Sequence, residues 1–190
     1  NALKTIKKAI GLPQGSKKVT QFSDSIVVSF NESSTTKFML LLDDIGHMLF
    51  SLAFNGIICR GALAYGKFYH DKNYLFGPAL VEAYESESKA AIYPRVIIDK
   101  SVIQIFKENR NEKLSPKGFV DSYLDMHLQE DLDDKLFIDY FHSSLYYADS
   151  TDIFINYLIS LRETISKGLS SARSPDIKVK YGWMKMKFNS

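Results

Sequence analysis

The chain of 190 residues is long enough to bury one sizeable core, and its composition, 45% hydrophobic and 24% charged, is typical of a globular domain. A formal net charge of +2 argues against a broad nucleic-acid or membrane surface, and no run of 18 or more apolar residues predicts a membrane span. Its single cysteine, Cys59, cannot form an internal disulfide, so we expect a reduced, cytoplasmic protein.

The first eleven residues have the pattern of an amphipathic helix. Leu3, Ile6 and Ile10 lie on one face and lysines lie on the other. A fold rarely begins within a helix, and the sequence does not open with methionine. We therefore expect that a preceding segment, which includes the first strand, belongs to the same domain.

Residues 18–30, KVTQFSDSIVVSF, combine two runs of β-branched and aromatic residues with a short polar link. This pattern predicts a β-hairpin with Ser23, Asp24 and Ser25 at its tip. An aspartate at such a tip is explained in the first place by turn formation, because its side chain accepts hydrogen bonds from nearby backbone amides. A functional carboxylate is the alternative.

Helices and strands alternate after the hairpin. Ser33, Ser34 or Thr35 is expected to cap a helix that ends near residue 54, and residues 57–70 predict two strands joined by a bend. Later segments predict, in order, a helix at 78–91, a buried strand at 95–98, a helix at 101–107, strands at 119–128 and 136–141, and helices from 151 and 175. This order predicts an α+β domain with a mostly antiparallel sheet covered by helices.

The turn at residues 129–135 is acidic and contains Glu130, Asp131, Asp133 and Asp134. It lacks the glycine and the closing glutamate of an EF-hand, so we expect a solvated hairpin tip rather than a calcium site. In the last helix we expect the lysines to face solvent and a different set to face the core, namely Ile177, Tyr181, Met184 and Phe188.

The hairpin QFSDSIVVSF resembles the metal-binding hairpin of class III nucleotidyl cyclases, whose tip is usually Gly-Asp-Ser or Gly-Asp-Ala. Ser23 stands at the position of that glycine, and Asp24 matches the aspartate. The segments GIICRGALAYGKFY and RVIIDKSVIQIF resemble later parts of that domain. Between them, YLFGPALVEAYESESKA is similar to the family's glycine-initiated helix, with Gly77 and Glu87 at matching positions.

Within this superfamily, RGALAYG, FGPALVEAYESESKAAIYPRVIID and KVKYGWMKMKFN are most similar to the bacterial pyrimidine cyclases. Those enzymes make cyclic UMP or cyclic CMP as signals in antiphage defence. The resemblance covers residues 18–105 well, the final helix moderately and residues 108–150 only in pattern. It implies a single cyclase-homology domain over residues 1–190, with a ferredoxin-like core and a C-terminal helical extension at 151–190.

The resemblance also implies a reaction. A phosphorus-oxygen lyase of this family would convert UTP to 3′,5′-cyclic UMP and pyrophosphate, and CTP is the alternative substrate. Two ions, Mn²⁺ or Mg²⁺, would activate the 3′-hydroxyl and neutralise the triphosphate. Asp24 would be one metal ligand, and its partner aspartate is expected upstream of Asn1. The family forms its active sites at a homodimer interface.

Base selection follows from two aligned positions. Thr20 and Tyr74 stand where purine cyclases carry a base-reading Lys and Asp, and the loss of that pair implies a pyrimidine substrate. We therefore expect Thr20, Phe22 and Tyr74 to bind the nucleotide, with Tyr74 narrowing the base pocket. Packing of Tyr74 beside Phe76 is an equal alternative.

The chain departs from the family on the helix after Gly77. Class III cyclases carry an Asn and, four residues on, an Arg there, whereas this chain has Val81 and Glu85. A glutamate cannot stabilise developing negative charge, so Arg60 becomes the candidate catalytic cation. Further candidate cations are Lys67, Lys89 and Arg95. The same departures support an alternative, a catalytically degenerate cyclase-fold module that binds a nucleotide or a partner.

Overall fold

A computed structural model describes residues 17–23, 25–31 and 34–190 and has an α+β fold, as predicted. The described strands are β1 Lys18–Phe22, β2 Ser25–Ser29, β3 Gly61–Leu63, β4 Tyr69–His70, β5 Leu75–Phe76, β6 Val96–Ile98, β7 Leu128–Glu130 and β8 Leu136–Ile138. The described helices are α1 Thr35–Phe54, α2 Pro78–Lys89, α3 Lys100–Glu108, α4 Lys117–His127, α5 Ser144–Tyr147, α6 Thr151–Ser171 and α7 Pro175–Asn189.

A four-stranded sheet lies at the centre of the fold, in the order β3-β6-β8-β7. β3 and β6 are parallel, and helix α2 crosses between them, because parallel neighbours need a long connection. β8 is antiparallel to both β6 and β7. β6 is buried along its whole length, so the sheet is covered on both faces at this strand.

The predicted hairpin at residues 18–30 is confirmed as β1 and β2, which pair antiparallel with Lys18 opposite Ser29 and Thr20 opposite Val27. In the described residues it forms a two-stranded sheet of its own, separate from the central sheet, and β4 and β5 form a second one. Asp24 at the tip lies outside the described residues, as do Ser33 and the helix predicted in the first eleven positions. Ser34 is the N-cap of α1.

Helix α1 connects the sheet to the C-terminal helices through aromatic contacts. Phe50 of α1 stacks on Tyr157 of α6 with 4.2 Å between ring centroids, and the Tyr157 hydroxyl donates to the Tyr140 carbonyl at 2.6 Å. Ser160 of α6 donates to the carbonyl of Phe54 at 2.7 Å. The long helix α6 therefore shares the core of the sheet. None of the described helices has the length and apolar character needed to span a bilayer.

The strand predicted at residues 119–128 is wrong for all but its last residue, because only Leu128 is extended and residues 119–127 lie in helix α4. Its buried side chains, Val120, Leu124 and His127, recur every three or four residues, which is the spacing of one helix face. Tyr123 lies on the same face and donates its hydroxyl to the carbonyl of Met39 at 2.8 Å. Only Leu136–Ile138 of the other predicted strand is extended.

The solvated hairpin tip expected at residues 129–135 is also wrong in part. The turn does join β7 to β8, but Asp131 is only 7% exposed. The last helix, which packs against this turn, also differs from its prediction. Its buried residues are Trp183, Met184 and Lys187, whereas Ile177 is exposed. A lysine is buried here because its ammonium group meets Asp131 at 3.2 Å.

Candidate functional site

The two small hairpins meet at His70. This side chain is 6% exposed, and its Nε2 and Nδ1 atoms lie 2.7 Å from the Thr20 hydroxyl and 2.6 Å from the Ser29 hydroxyl. Lys18 donates its ammonium group to the His70 carbonyl. Lys18, Thr20 and Ser29 share one face of the β1–β2 ribbon, since residues two apart and residues directly opposite point the same way. We call these four residues the hairpin junction.

Burial lowers the pKa of His70, and the Lys18 ammonium group lowers it further, while Asp71 acts in the opposite direction. The imidazole is therefore neutral near pH 7, with one ring nitrogen donating and the other accepting. Because a hydroxyl can either donate or accept, Thr20 and Ser29 satisfy both nitrogens of the neutral ring. The junction fixes the orientation of the whole β1–β2 ribbon against β4.

Tyr74 lies in the turn that follows His70. The Asp71 side chain accepts hydrogen bonds from the backbone amides of Asn73 and Tyr74, each at 2.7 Å, and the Asp71 amide donates to the Tyr74 carbonyl. Thr20 and Tyr74 are thereby linked through the two consecutive residues His70 and Asp71. Tyr74 is 62% exposed, and Phe76 stacks on Tyr69 with ring centroids 5.1 Å apart.

Two positions that the family reserves for glycine have the backbone conformation that favours glycine. Ser23 at the tip of the hairpin has a φ of 49°, and Gly77 at the start of α2 has a φ of 142°. A Cβ atom on Gly77 would lie 2.6 Å from the Lys67 carbonyl oxygen, so a side chain there would displace backbone. Phe22, the residue before Ser23, is 46% exposed at the end of β1.

Helix α2 carries Val81 and Glu85, the two positions that depart from the family. None of its twelve residues is buried, and Val81 and Tyr84 are 56% and 69% exposed. Glu85 pairs with Lys89 at 3.4 Å, so this lysine, one of the candidate cations, already has a carboxylate partner. An amphipathic helix with an exposed apolar face is typical of a surface that another chain covers.

Arg60 has an anionic partner within the chain. Its Nε atom lies 2.7 Å from a carboxylate oxygen of Glu87, and Nη1 donates to the carbonyl of Ala91 at 3.4 Å. The arginine therefore holds the end of α2 against the strand that it precedes. Among the other candidate cations, Lys67 is exposed, whereas Arg95 is fully buried and cannot reach a nucleotide.

Arg95 lies at the centre of an ion-pair network that the sequence pattern did not predict. Its guanidinium donates to Asp131 and to Asp133, the latter at 2.5 Å, and Trp183 donates its indole N–H to Asp131 at 2.7 Å. The sequence contained two features that together could have indicated this network. One is an arginine at the start of a buried apolar strand, and the other is an acidic turn elsewhere in the chain. Such a pairing is common, because a buried charge needs an oppositely charged partner.

Asp24 is the residue that the resemblance proposes as a metal ligand. Asp24 lies outside the described residues, and within the described ranges no group of three or more His, Cys, Asp or Glu side chains is arranged to hold a metal ion. The described residues thus do not by themselves supply a two-ion site. Thiol chemistry is also disfavoured, since burial raises the pKa of Cys59 to about 12.

Comparison of the chain with protein-family models, with curated proteins and with solved structures finds no significant match.

Proposed function

We propose that this protein is a pyrimidine nucleotide cyclase that converts UTP to 3′,5′-cyclic UMP and pyrophosphate in a cytoplasmic homodimer, where the product would serve as an antiviral signal. In this proposal the nucleotide binds at the ribbon formed by β1 and β2, beside the β4–β5 turn. CTP is the alternative substrate. The central sheet would be the remainder of a ferredoxin-like cyclase core.

The observation that carries this proposal is the hairpin junction. Thr20 and Tyr74 stand at the two positions that match the base-reading pair of purine cyclases, and they are 54 positions apart in the chain. His70 and Asp71 link the two positions through hydrogen bonds of 2.7 to 2.9 Å. The left-handed backbone of Ser23, at the position of the family's glycine, supports the same interpretation.

The residues at the junction suggest how a pyrimidine would be selected. The Thr20 hydroxyl is engaged by His70, so a short polar group replaces the long cation that a purine site presents. Phe22 and Tyr74 are 46% and 62% exposed, and a base would stack on their exposed rings. Asp24 is expected to hold Mn²⁺ or Mg²⁺, whose positive charge would neutralise the triphosphate.

Arg60 is the proposed source of positive charge at the reacting phosphate. Its Nε atom is bound by Glu87, which would orient the guanidinium, while the Nη2 atom has no hydrogen bond in the described residues. A bound and oriented arginine loses less conformational freedom when it meets a phosphate than a free side chain does. Arg60 would thereby compensate for Glu85, which stands where the family has an arginine.

The proposed homodimer would use the exposed face of α2. Val81 and Tyr84 on this helix lie close in sequence to the exposed aromatic rings of Tyr69, Tyr74 and Phe76. Together they supply aromatic side chains of the kind that dominate protein–protein interfaces. A second copy that covered this face would also bring its own residues next to the ribbon of the first.

A degenerate cyclase-fold module is the second candidate function. The Glu87–Arg60 ion pair favours this alternative, because Glu87 already neutralises the proposed catalytic cation. Val81 and Glu85, which stand in place of the family's Asn and Arg, favour it as well. Such a module would bind a pyrimidine nucleotide without releasing pyrophosphate. Equilibrium binding of UTP together with an absence of any cyclic product would select this alternative.

Two substitutions test the proposed roles of the site residues. Asp24→Ala is expected to lower the rate of cyclic UMP formation on the order of a hundredfold or more, and Arg60→Ala by about a hundredfold. Asp149→Ala, at an exposed position outside the site, is the matched control and should retain wild-type activity. Full activity of the Asp24→Ala protein would remove Asp24 from the proposed metal site.

A further inference from the structure

A groove with a volume of about 490 Å³ lies where the end of α4, strand β7 and α5 meet. It shares no residue with the hairpin junction, and its volume is within the range of small-molecule sites, about 300 to 1,000 Å³. Its polar lining consists of Asp125, Gln129, Asp139, His142 and Ser143. The groove is therefore a candidate second binding site, independent of the proposed cyclase chemistry.

The polar groups of the groove present acceptors. The Gln129 Oε1 atom has no hydrogen-bond partner among the described residues, but it is closed to solvent and is not one of the acceptors that a ligand would meet. His142 Nδ1 lies 2.9 Å from the Asp139 carboxylate, which accepts its proton and leaves the lone pair of Nε2 available. Asp125 adds an exposed carboxylate beside them. A ligand that matched this lining would have to donate hydrogen bonds.

The lone pair on His142 is not used to activate a serine. Ser190 has its hydroxyl 3.3 Å from His142 Nε2, but this hydroxyl donates to the carbonyl of Lys187 at 2.9 Å. Because a hydroxyl carries one proton, Ser190 is not held as a nucleophile by this histidine. The Asp139–His142 pair is therefore better suited to recognising a donor group than to acyl transfer.

The charge and the rim of the groove narrow the ligand class. No lysine or arginine is among its described lining residues, while two aspartates are, so a phosphate or other anion would meet no compensating charge. Met126, Leu145 and Tyr146 line it with apolar surface and are exposed by 55%, 60% and 50%. An aromatic or aliphatic body would pack on these side chains, and the Tyr146 ring would attract a nearby cation.

We propose that this groove binds a small organic cation, an amine or guanidinium group attached to an apolar body. The cationic group donates to His142 and to the Asp125 carboxylate, and the apolar body lies on Met126 and Tyr146. This assignment does not depend on the proposed cyclase function, because it uses none of the same residues.

Nuclear magnetic resonance titrations of the full chain test this proposal. Tyramine and agmatine are the cationic probes, p-cresol is the neutral counterpart of tyramine, and inorganic phosphate is the anionic control. We expect saturable shift changes at the groove with at least one of the two cations and none with p-cresol or phosphate. Asp125→Asn removes the negative charge and His142→Phe removes the accepting nitrogen, and each should weaken binding about tenfold.

Asp149→Asn, at an exposed carboxylate that does not line the groove, is the matched control and should bind the cations as the wild type does. Three results would overturn the proposal. The first is an absence of saturation with either cation in the millimolar range, and the second is equal binding of p-cresol. The third is unchanged affinity in both the Asp125→Asn and the His142→Phe proteins, each shown to be folded by its own spectrum.

Discussion

The guanidinium of Arg95 and the carboxylate of Asp131 form an ion pair whose two side chains are 0% and 2% exposed. The same carboxylate accepts the Trp183 indole N–H and lies 3.2 Å from the Lys187 ammonium group. Arg95 precedes β6, Asp131 lies in the turn between β7 and β8, and the other two partners are in α7. This one carboxylate therefore connects the edge of the sheet to the last helix.

Removing the charge of Asp131 should destabilise the fold strongly. In Asp131→Asn, Arg95 and Lys187 remain buried with less negative charge beside them, and breaking a buried ion pair costs about 3 to 5 kcal/mol. Glu112→Gln, in the solvent-exposed pair with Arg110, should leave the free energy of unfolding close to that of the wild type. Urea unfolding of the three proteins checks this, and equal stability of the two variants would contradict it.

Replacing His70 should loosen the β1–β2 ribbon. In His70→Leu the hydroxyls of Thr20 and Ser29 lose their shared partner, and two hydrogen bonds contribute about 1 to 3 kcal/mol. We expect amide hydrogen exchange in residues 18–29 to accelerate on the order of tenfold, with a parallel loss of cyclase activity. His47→Leu, at an exposed histidine of α1, is the control. Unchanged exchange in the His70→Leu protein would exclude the junction as the anchor of the ribbon.

A charge on the exposed face of α2 should prevent dimer formation. Tyr84→Glu places a carboxylate where the proposed interface is apolar, and loss of a central aromatic contact typically costs about 2 kcal/mol or more. We expect sedimentation velocity to show a dimer for the wild type and a monomer for this variant. Ile155→Glu, at an exposed apolar position of α6, should remain dimeric. A monomeric wild type would contradict the proposed interface.

His127 is fully buried between α1 and α5. Its Nδ1 atom lies 2.9 Å from the Tyr147 hydroxyl. Its Nε2 atom faces Asp43 Oδ1 at 3.7 Å, and these last two atoms have no hydrogen-bond partner among the described residues. Burial lowers the pKa of His127; Asp43 opposes this effect and His47 adds to it. The rings of Tyr123, Tyr146 and Tyr147 surround the imidazole and contribute no charge near neutral pH.

This histidine predicts a loss of stability in mild acid. The unfolded chain binds a proton at the ordinary histidine pKa of about 6.5, before the folded chain does, so the free energy of unfolding falls as the pH drops below that value. His127→Gln removes this contribution, and its urea-unfolding free energy should vary less between neutral and mildly acidic pH than that of the wild type. An identical pH dependence in the two proteins would exclude His127 as a source.

Local signals in the sequence predicted the elements that depend on neighbouring residues. The hairpin and the helix that begins after Ser34 are of this kind, although the Ser34 side chain makes no capping hydrogen bond. The short segment at residues 119–128 was misassigned, because its few apolar positions fit a strand nearly as well as a helix.

The long-range contacts of the core and of the candidate site could not be predicted from local sequence patterns. Arg95 and Asp131 are 36 positions apart, and Thr20 and His70 are 50 apart, so each pair depends on how the strands and helices pack. The residue types at Thr20, Arg60 and Tyr74 could be selected from the resemblance. Their partners, His70, Glu87 and Asp71, emerged only from the fold.

The most direct test of the cyclase proposal is an assay of the protein, in its full natural length, with each of the four ribonucleoside triphosphates and Mn²⁺. Mass spectrometry of the products would identify any cyclic nucleotide, and a coupled assay would quantify pyrophosphate. The proposal predicts cyclic UMP from UTP, with an equal amount of pyrophosphate. Formation of no cyclic nucleotide from UTP, CTP, ATP or GTP would contradict it.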